Sequence, residues 1–175
     1  MVRAPLMLSA WKKVRKNIFR LESLPKYNVP EDLVLFKKWK KGKLNVNFDF
    51  KDWFKNLEKI KKKGIKIQRV RILSLPLSNY TKYEIDVWKH SIKYGEKIYF
   101  IKSKNYQKIK KLLHFKPKDF WAFDDKIVVI FYYNKKGNFI KEELISKDKI
   151  NNYKSLKRKL LQNSIPMKHF LKLKI

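Results

Sequence analysis

A chain of 175 residues with 44% hydrophobic and 15% aromatic side chains has enough apolar material for one packed core, and is too short for two comfortable domains. Its 45 Lys and Arg against 15 Asp and Glu give a net charge of +30, which favours a polyanionic partner such as nucleic acid. The absence of cysteine excludes disulfides and thiolate metal sites, and no apolar run has the length of a signal peptide or membrane span, so we expect a cytoplasmic protein without membrane association.

The basic residues are divided unequally, since only six of the 45 are arginine. An excess of lysine with scarce Arg, Gly and Ala is typical of an AT-rich coding background. Part of the +30 therefore reflects composition rather than function. Where lysine is the default cation, we expect arginine at positions that need a rigid, bidentate guanidinium group.

The N-terminal part of the chain alternates helices with strands. The predicted order is a helix at 8–16, a strand at 18–22, helices at 31–40 and 50–63, and a strand at 65–75. Pro30 and Asp49 mark where the second and third helices begin, and Gly64 follows the end of the third. The strand at 65–75 is the clearest because it is rich in β-branched residues and lies between Gly64 and Pro76.

The C-terminal part is richer in strands. The predicted order is a helix at 79–94, a strand at 96–101, a helix at 106–113, strands at 120–123, 127–133 and 138–145, and a helix from residue 146. A turn at 134–137 joins the last two strands as a hairpin. This order predicts an α+β fold whose mixed or antiparallel sheet is flanked by helices. We expect residues 1–145 to form the domain and 146–175 a basic amphipathic helix packed on it.

The usual chemical motifs are absent from the sequence. All four glycines are needed as helix ends or in a turn, so none remains for a phosphate-binding loop. His90, His114 and His169 are isolated, without a partner at metal-ligand spacing. We therefore expect neither a metal site nor a cofactor.

Two arginines form the most distinctive feature. Arg69 and Arg71 lie two residues apart on the strand at 65–75, so they share one face, about 7 Å apart. Because that face is half apolar, the guanidinium groups need partners. They would either form buried ion pairs that fix the fold, which we favour, or a fork for a phosphate or carboxylate ligand. The expected partners are four carboxylates, those of Glu22, Glu84, Asp119 and Asp124.

Residues 119–124 (DFWAFD) form a second unusual segment, with three aromatic residues between two acids. On a strand, alternation places Asp119 and Trp121 on one face and Asp124 on the other. The two carboxylates are therefore not a natural pair for acid–base chemistry. We interpret the segment as a core strand whose ends are tied by hydrogen bonds.

These motifs together resemble an uncharacterised family, domain of unknown function 6879, which is frequent in actinobacteria. The pattern is R-V-R at 69–71, P-x3-Y-x2-Y-E at 76–84 and D-F-W-x-F-D at 119–124, within residues 20–133. Tyr80, Tyr83 and Trp121, which lie in these motifs, complete the candidate cluster. The resemblance implies a regulatory or defence setting, because members are often encoded near helix-turn-helix regulators, and it implies no catalytic residues.

We expect a non-enzymatic binding or regulatory domain whose leading partner is nucleic acid, contacted by lysines on the helices. One alternative is an adaptor for a helix-turn-helix protein regulator. Another is an enzyme for a phosphorylated or nucleotide substrate, in which Arg69 and Arg71 would bind the anion. In that enzyme, Glu84, Asp119 or Asp124 would transfer protons or bind a metal ion. An enzyme needs these residues to converge on one concave pocket, whereas a nucleic-acid-binding domain needs a continuous basic face.

Overall fold

A computed structural model describes residues 4–173, which form one seven-stranded sheet with helices on both faces. The strands are β1 (Asn17–Glu22), β2 (Lys66–Leu73), β3 (Lys97–Lys102), β4 (Asp119–Phe123), β5 (Ile127–Tyr133), β6 (Phe139–Leu144) and β7 (Ile165–Pro166). The helices are α1 (Pro5–Lys13), α2 (Pro30–Lys40), α3 (Val46–Asp49), α4 (Lys51–Lys62), α5 (Asn79–Ser91), α6 (Ser103–Lys111), α7 (Ile150–Gln162) and α8 (Met167–Phe170). None of these helices is both long and apolar enough to cross a membrane.

The sheet is mixed, with the order β6-β5-β4-β1-β2-β3-β7. The adjacent strands β1, β2 and β3 run parallel, and β4, β5, β6 and β7 each pair antiparallel with a neighbour. Parallel neighbours need crossover connections, which α2, α3 and α4 provide between β1 and β2 and α5 provides between β2 and β3. The predicted α+β class is confirmed, including the hairpin of β5 and β6.

The two faces of the sheet bury different side chains, because successive strand residues point to opposite sides. On one face, Phe19, Leu21 and Val70 pack against α6 and α7. We call the surface of those two helices the α6–α7 face. On the other side of the sheet, Ile18 and Phe123 belong to a second core beneath α1 and α4. The central strands on that side carry polar residues, and α2 and α5 lie over them.

The start of α4 differs from the prediction. A separate short helix, α3, precedes it, and the N-cap of α3 is Asn45, whose side chain accepts a hydrogen bond from the Phe48 N–H at 3.2 Å. Asp49 does not cap α4. Its carboxylate accepts from the Asn45 N–H at 3.0 Å and pairs with Lys38 at 2.7 Å, which holds α3 against α2.

The C-terminal segment is more divided than the single helix predicted for 146–175. Helix α7 ends at Gln162, and the chain then adds strand β7 to the edge of the sheet beside β3 before forming α8. Pro166 lacks an N–H group, and an edge strand tolerates that loss. Helix α7 itself buries Leu156 and Leu160 against the sheet.

Replacing Leu156 by Ala tests how firmly α7 is docked. Leu156 is 0% exposed, so we expect Leu156→Ala to lower the free energy of unfolding by about 2–5 kcal/mol, measured by urea denaturation. The matched control is Leu112→Ala, because Leu112 is 69% exposed and should cost less than about 0.5 kcal/mol. Equal, small losses in the two variants would show that α7 is not part of the core.

Candidate functional site

The site begins with the register of two strands. In the parallel pair of β1 and β2, Arg20 lies opposite Arg69 and Glu22 lies opposite Arg71. Neighbouring strands are about 4.8 Å apart, so these four side chains form a compact block on the face of the sheet away from α6 and α7. Three positive charges against one negative charge in that block require further carboxylates from other elements.

Glu22 is the bridge between two of the arginines. Its Oε1 accepts from Nη2 of Arg20 at 2.7 Å and its Oε2 accepts from Nη1 of Arg69 at 2.7 Å. Arg69 also donates from Nε to Oε1 of Glu96, at 2.8 Å, just before β3. Sequence reasoning did not identify Glu96, because only the parallel pairing of β2 with β3 brings it to Arg69.

Arg71 is 0% exposed, and its hydrogen bonds all end on acceptor oxygens. It donates from Nη2 at 2.8 Å and from Nε at 3.1 Å to the same oxygen, Oε2 of Glu84 on α5. It also donates to the carbonyl oxygens of Leu24 and Pro25 in the loop after β1. Arg71 therefore ties α5 and that loop to the centre of the sheet.

Two more carboxylates join the cluster through hydroxyl groups. Asp119, at the start of β4, accepts from the N–H and hydroxyl of Ser23, at 2.9 and 2.5 Å, and from the hydroxyl of Tyr27. Asp32, in the first turn of α2, accepts from the hydroxyls of Tyr80 at 2.5 Å and Tyr83 at 2.7 Å. Neither carboxylate forms an ion pair with any of residues 4–173.

The sequence left Asp32 out of the candidate site, because an acid in the first turn of a helix is already explained by the helix dipole. A clue was present nonetheless. Tyr80 and Tyr83 lie at i and i+3, which places both hydroxyl groups on one side of α5 where they can share a carboxylate.

Aromatic rings cover the flat faces of all three guanidinium groups. Arg20 lies 4.8 Å from the ring centre of Trp121, Arg69 lies 5.3 Å from that of Trp88, and Arg71 lies 5.4 Å from that of Tyr27. A ring face attracts a cation electrostatically. Trp121 thus contacts the site through Arg20 while packing in the core beneath α1.

We define the polar cluster as three arginines and five acids: Arg20, Arg69, Arg71, Glu22, Asp32, Glu84, Glu96 and Asp119. Asp124 lies outside it. Its carboxylate accepts from the backbone N–H groups of Arg15, Lys16 and Asn17 at 2.7–2.9 Å, which fixes the start of β1. Asp124 follows β4 in a turn, with a φ of 53°, and is therefore far along the sheet from Asp119.

A cavity of about 330 Å³ opens beside the cluster. Its walls come from the sheet, α2, α4, α5 and the loop after β1: Arg20, Glu22, Tyr27, Val29, Asp32, Phe50, Trp53, Arg69, Tyr80, Tyr83, Glu84, Val87, Trp88, Ser91 and Tyr133. Five of the predicted site residues converge there, namely Glu22, Arg69, Tyr80, Tyr83 and Glu84. Arg71, Asp119 and Trp121 lie behind the walls.

Negative charge is in excess in the cluster, and the pKa values of its carboxyl groups diverge accordingly. Burial opposes ionisation of Glu22, but the neighbouring arginines lower its pKa to about 2. Burial raises the pKa of Glu84 to about 7 in spite of Arg71, and nearby Glu22 adds to the rise. Burial also raises the pKa values of Asp32 and Asp119, although hydrogen bonds from hydroxyl groups oppose it. The carboxyl groups of Asp32, Glu84 and Asp119 thus hold their protons more tightly than an exposed carboxyl group does.

The cluster is poorly arranged for a metal ion. No group of three or more His, Asp or Glu side chains within residues 4–173 could hold one. The carboxylates are instead directed at guanidinium and hydroxyl groups. Among the histidines, His90 contacts Asn47 through Nδ1 at 2.9 Å, and His114 and His169 are exposed.

Comparison with known families gives one assignment. Residues 7–172 match the model of a family described as "Domain of unknown function (DUF6879)". The match extends past the motif-bearing region of 20–133 at both ends, so the segment that forms α7 lies within the family domain. A search of curated proteins gives no significant match.

Exchanging Arg71 for Lys separates geometry from charge, because lysine keeps the charge and loses the planar fork. We expect Arg71→Lys to lower the free energy of unfolding by about 1.5–3 kcal/mol, the cost of a lost hydrogen bond to a charged group, measured by chemical denaturation. Arg158→Lys, on the exposed side of α7, is the matched control and should be neutral. Unchanged stability in Arg71→Lys would mean that the fork does not hold α5 in place.

The raised pKa of Glu84 predicts a pH dependence of stability. A folded state that keeps a proton which the unfolded chain releases near pH 4.5 loses relative stability as the pH rises from there to about 7. We expect Glu84→Gln, which mimics the protonated acid, to flatten the fall in melting temperature over this range. Glu58→Gln, on the exposed side of α4, should leave it unchanged. The same slope in Glu84→Gln and the unaltered protein would contradict the assignment.

Proposed function

The chain belongs to the family described as domain of unknown function DUF6879, and because that description assigns no activity, we propose from the structure that it is a non-enzymatic binding domain for nucleic acid. The observation that carries the proposal is the charge of the α6–α7 face. The two helices pack side by side and contain eight basic residues and no acid: Lys104, Lys108, Lys110, Lys111, Lys154, Lys157, Arg158 and Lys159.

The spacing on these helices supports a backbone-binding surface. Lys104, Lys108 and Lys111 lie at i, i+4 and i+7, so they project from one side of α6, and all three are exposed. Lys154 and Arg158 repeat the pattern on α7. Lys157 differs, because it pairs with Asp125 at 2.8 Å. Lysine contacts phosphates as a point charge without reading bases, so we expect little sequence preference.

The polar cluster strengthens the basic character of the rest of the molecule. The cluster contains five of the 15 acidic residues of the chain and only three of its 45 basic residues. The remainder of the chain is therefore more basic than the overall charge of +30. On-rates and affinities for polyanions rise with such a field.

The cluster itself does not favour a phosphorylated substrate. Arg69 and Arg71, the expected anion fork, donate to Glu22, Glu96 and Glu84. A phosphate would have to displace buried carboxylates, and breaking a buried ion pair costs about 3–5 kcal/mol. For this reason we prefer a binding domain to an enzyme for a phosphorylated or nucleotide substrate.

Salt-dependent binding tests the proposal. We expect fluorescence anisotropy with a labelled random-sequence DNA to give a slope of log K against log salt of about −4 or steeper. Substituting Lys104, Lys108, Lys154 and Arg158 by Gln should weaken binding and make the slope shallower by about 1 for each lost phosphate contact.

The control removes four charges elsewhere, from α4, at Lys51, Lys55, Lys59 and Lys62. It should bind nearly as well as the unaltered protein. Equal losses in the two variants would assign binding to the overall charge rather than to the α6–α7 face. Binding that vanishes by about 0.1 M salt would show that the net charge of +30 reflects amino-acid composition and not a nucleic-acid-binding function.

A further inference from the structure

The cavity beside the polar cluster has walls that are suited to a positive charge. Seven of its fifteen lining residues are aromatic: Tyr27, Phe50, Trp53, Tyr80, Tyr83, Trp88 and Tyr133. The face of an aromatic ring carries negative potential, and rings grouped around a cavity are a known means of holding organic cations. The volume of about 330 Å³ is at the lower end for small-molecule sites.

The charged groups in the walls also favour a positively charged ligand. Arg69 is already paired with Glu22 and Glu96 and covered by Trp88, so it offers little to an anion. Arg20 is paired with Glu22 through Nη2, and its side chain is only 25% exposed. The basic groups of the cavity are therefore neutralised by the protein itself.

Two carboxylates in the wall of the cavity, those of Asp32 and Glu84, have oxygens without a cationic partner among the described residues. Asp32 lies in the wall, receives two tyrosine hydroxyls, and has no ion-pair partner within residues 4–173, although the chain has 45 basic residues. Glu84 also lies in the wall, and both hydrogen bonds from Arg71 end on its Oε2, so Oε1 takes no share in the ion pair. The cavity thus keeps carboxylate oxygens without a cationic partner from the chain.

Ser91 supplies an independent observation. It is fully buried in the wall of the cavity, and its Oγ has no hydrogen-bond partner among residues 4–173. Buried hydroxyl groups are rarely left unpaired, because desolvation without a partner costs free energy. A ligand with a polar group in the cavity would satisfy it.

We propose that this cavity binds a small organic cation, an ammonium or guanidinium group carried on an apolar or aromatic body. The positive group lies against Asp32 and Glu84, the body lies among rings that include Trp53 and Trp88, and the Ser91 hydroxyl bonds a polar group of the ligand. The cavity and the α6–α7 face lie on opposite sides of the sheet, so this site is independent of nucleic-acid binding.

Three probes that share a phenylethyl body, an isosteric amine and alcohol and a larger carboxylate, test the sign of the charge on the unaltered, full-length protein. Titration with 2-phenylethylamine, 2-phenylethanol and 3-phenylpropanoate, followed by tryptophan fluorescence and calorimetry, should give binding of the amine at least about tenfold tighter than the alcohol, and the weakest binding for the acid. A lysine-containing tripeptide, blocked at both ends, is titrated as a fourth ligand. Its binding would identify a basic side chain as the natural cation, whereas its exclusion would identify a free amine.

Substitution of Asp32 locates the effect. Asp32→Asn keeps the shape and one acceptor oxygen for the tyrosine hydroxyls, so amine affinity should fall about ten- to a hundredfold while alcohol affinity changes little. Asp52→Asn, which removes an exposed acid from α4, should change neither. The proposal is overturned by equal binding of amine and alcohol, by preference for the acid, by no amine binding at millimolar concentration, or by an unchanged amine affinity in Asp32→Asn. Because the isosteres are compared on the unaltered protein, the test holds even if that variant fails to fold.

Discussion

The guanidinium group of Arg71, buried without any exposure at the centre of the sheet, is the constraint on which the surrounding structure depends. A buried charge without partners is prohibitively unfavourable, so the loop after β1 and helix α5 must both deliver acceptors to it. Glu84 and the carbonyl oxygens of Leu24 and Pro25 meet that demand. The direction in which the chain leaves β1 and the height of α5 above the sheet follow from the geometry of one side chain.

The need to pair the buried arginines also affects how acidic and basic residues are distributed over the molecule. The three arginines pair with Glu22, Glu84 and Glu96, and the hydroxyl-bonded Asp32 and Asp119 lie on the same side of the sheet, so the polar cluster contains more acids than bases. On the opposite side, α6 and α7 contain no acid at all. The cavity beside the polar cluster is therefore lined by acids, whereas the α6–α7 face is basic, and their ligands are expected to differ in sign.

Strand periodicity made part of the site predictable. Alternation correctly placed Arg69 and Arg71 on one face, whereas Asp124 is separated from Asp119 because it lies in the turn after β4 and not on the strand. The contributions of Glu96 and Asp32 were not predictable in this way, because one follows from the pairing of β2 with β3 and the other from the placement of α2 over α5. Local patterns specify which way a side chain points, but neighbours that are distant in sequence are specified only by the tertiary arrangement.

The cavity also escaped prediction, and the way α2 is attached explains why it exists. Helix α2 contains no fully buried residue, and its apolar side chains are only partly buried against a cluster of tyrosines. It is held by the hydrogen bonds of Asp32 to Tyr80 and Tyr83, by a 2.9 Å bond from Trp39 Nε1 to Asp86, and by the packing of Phe36 on the two tyrosines. Elements with few buried apolar contacts open at lower free energy than core strands. We therefore expect the wall that bears Asp32 to open at lower free energy than the sheet, so that a ligand could enter without breaking the buried ion pairs.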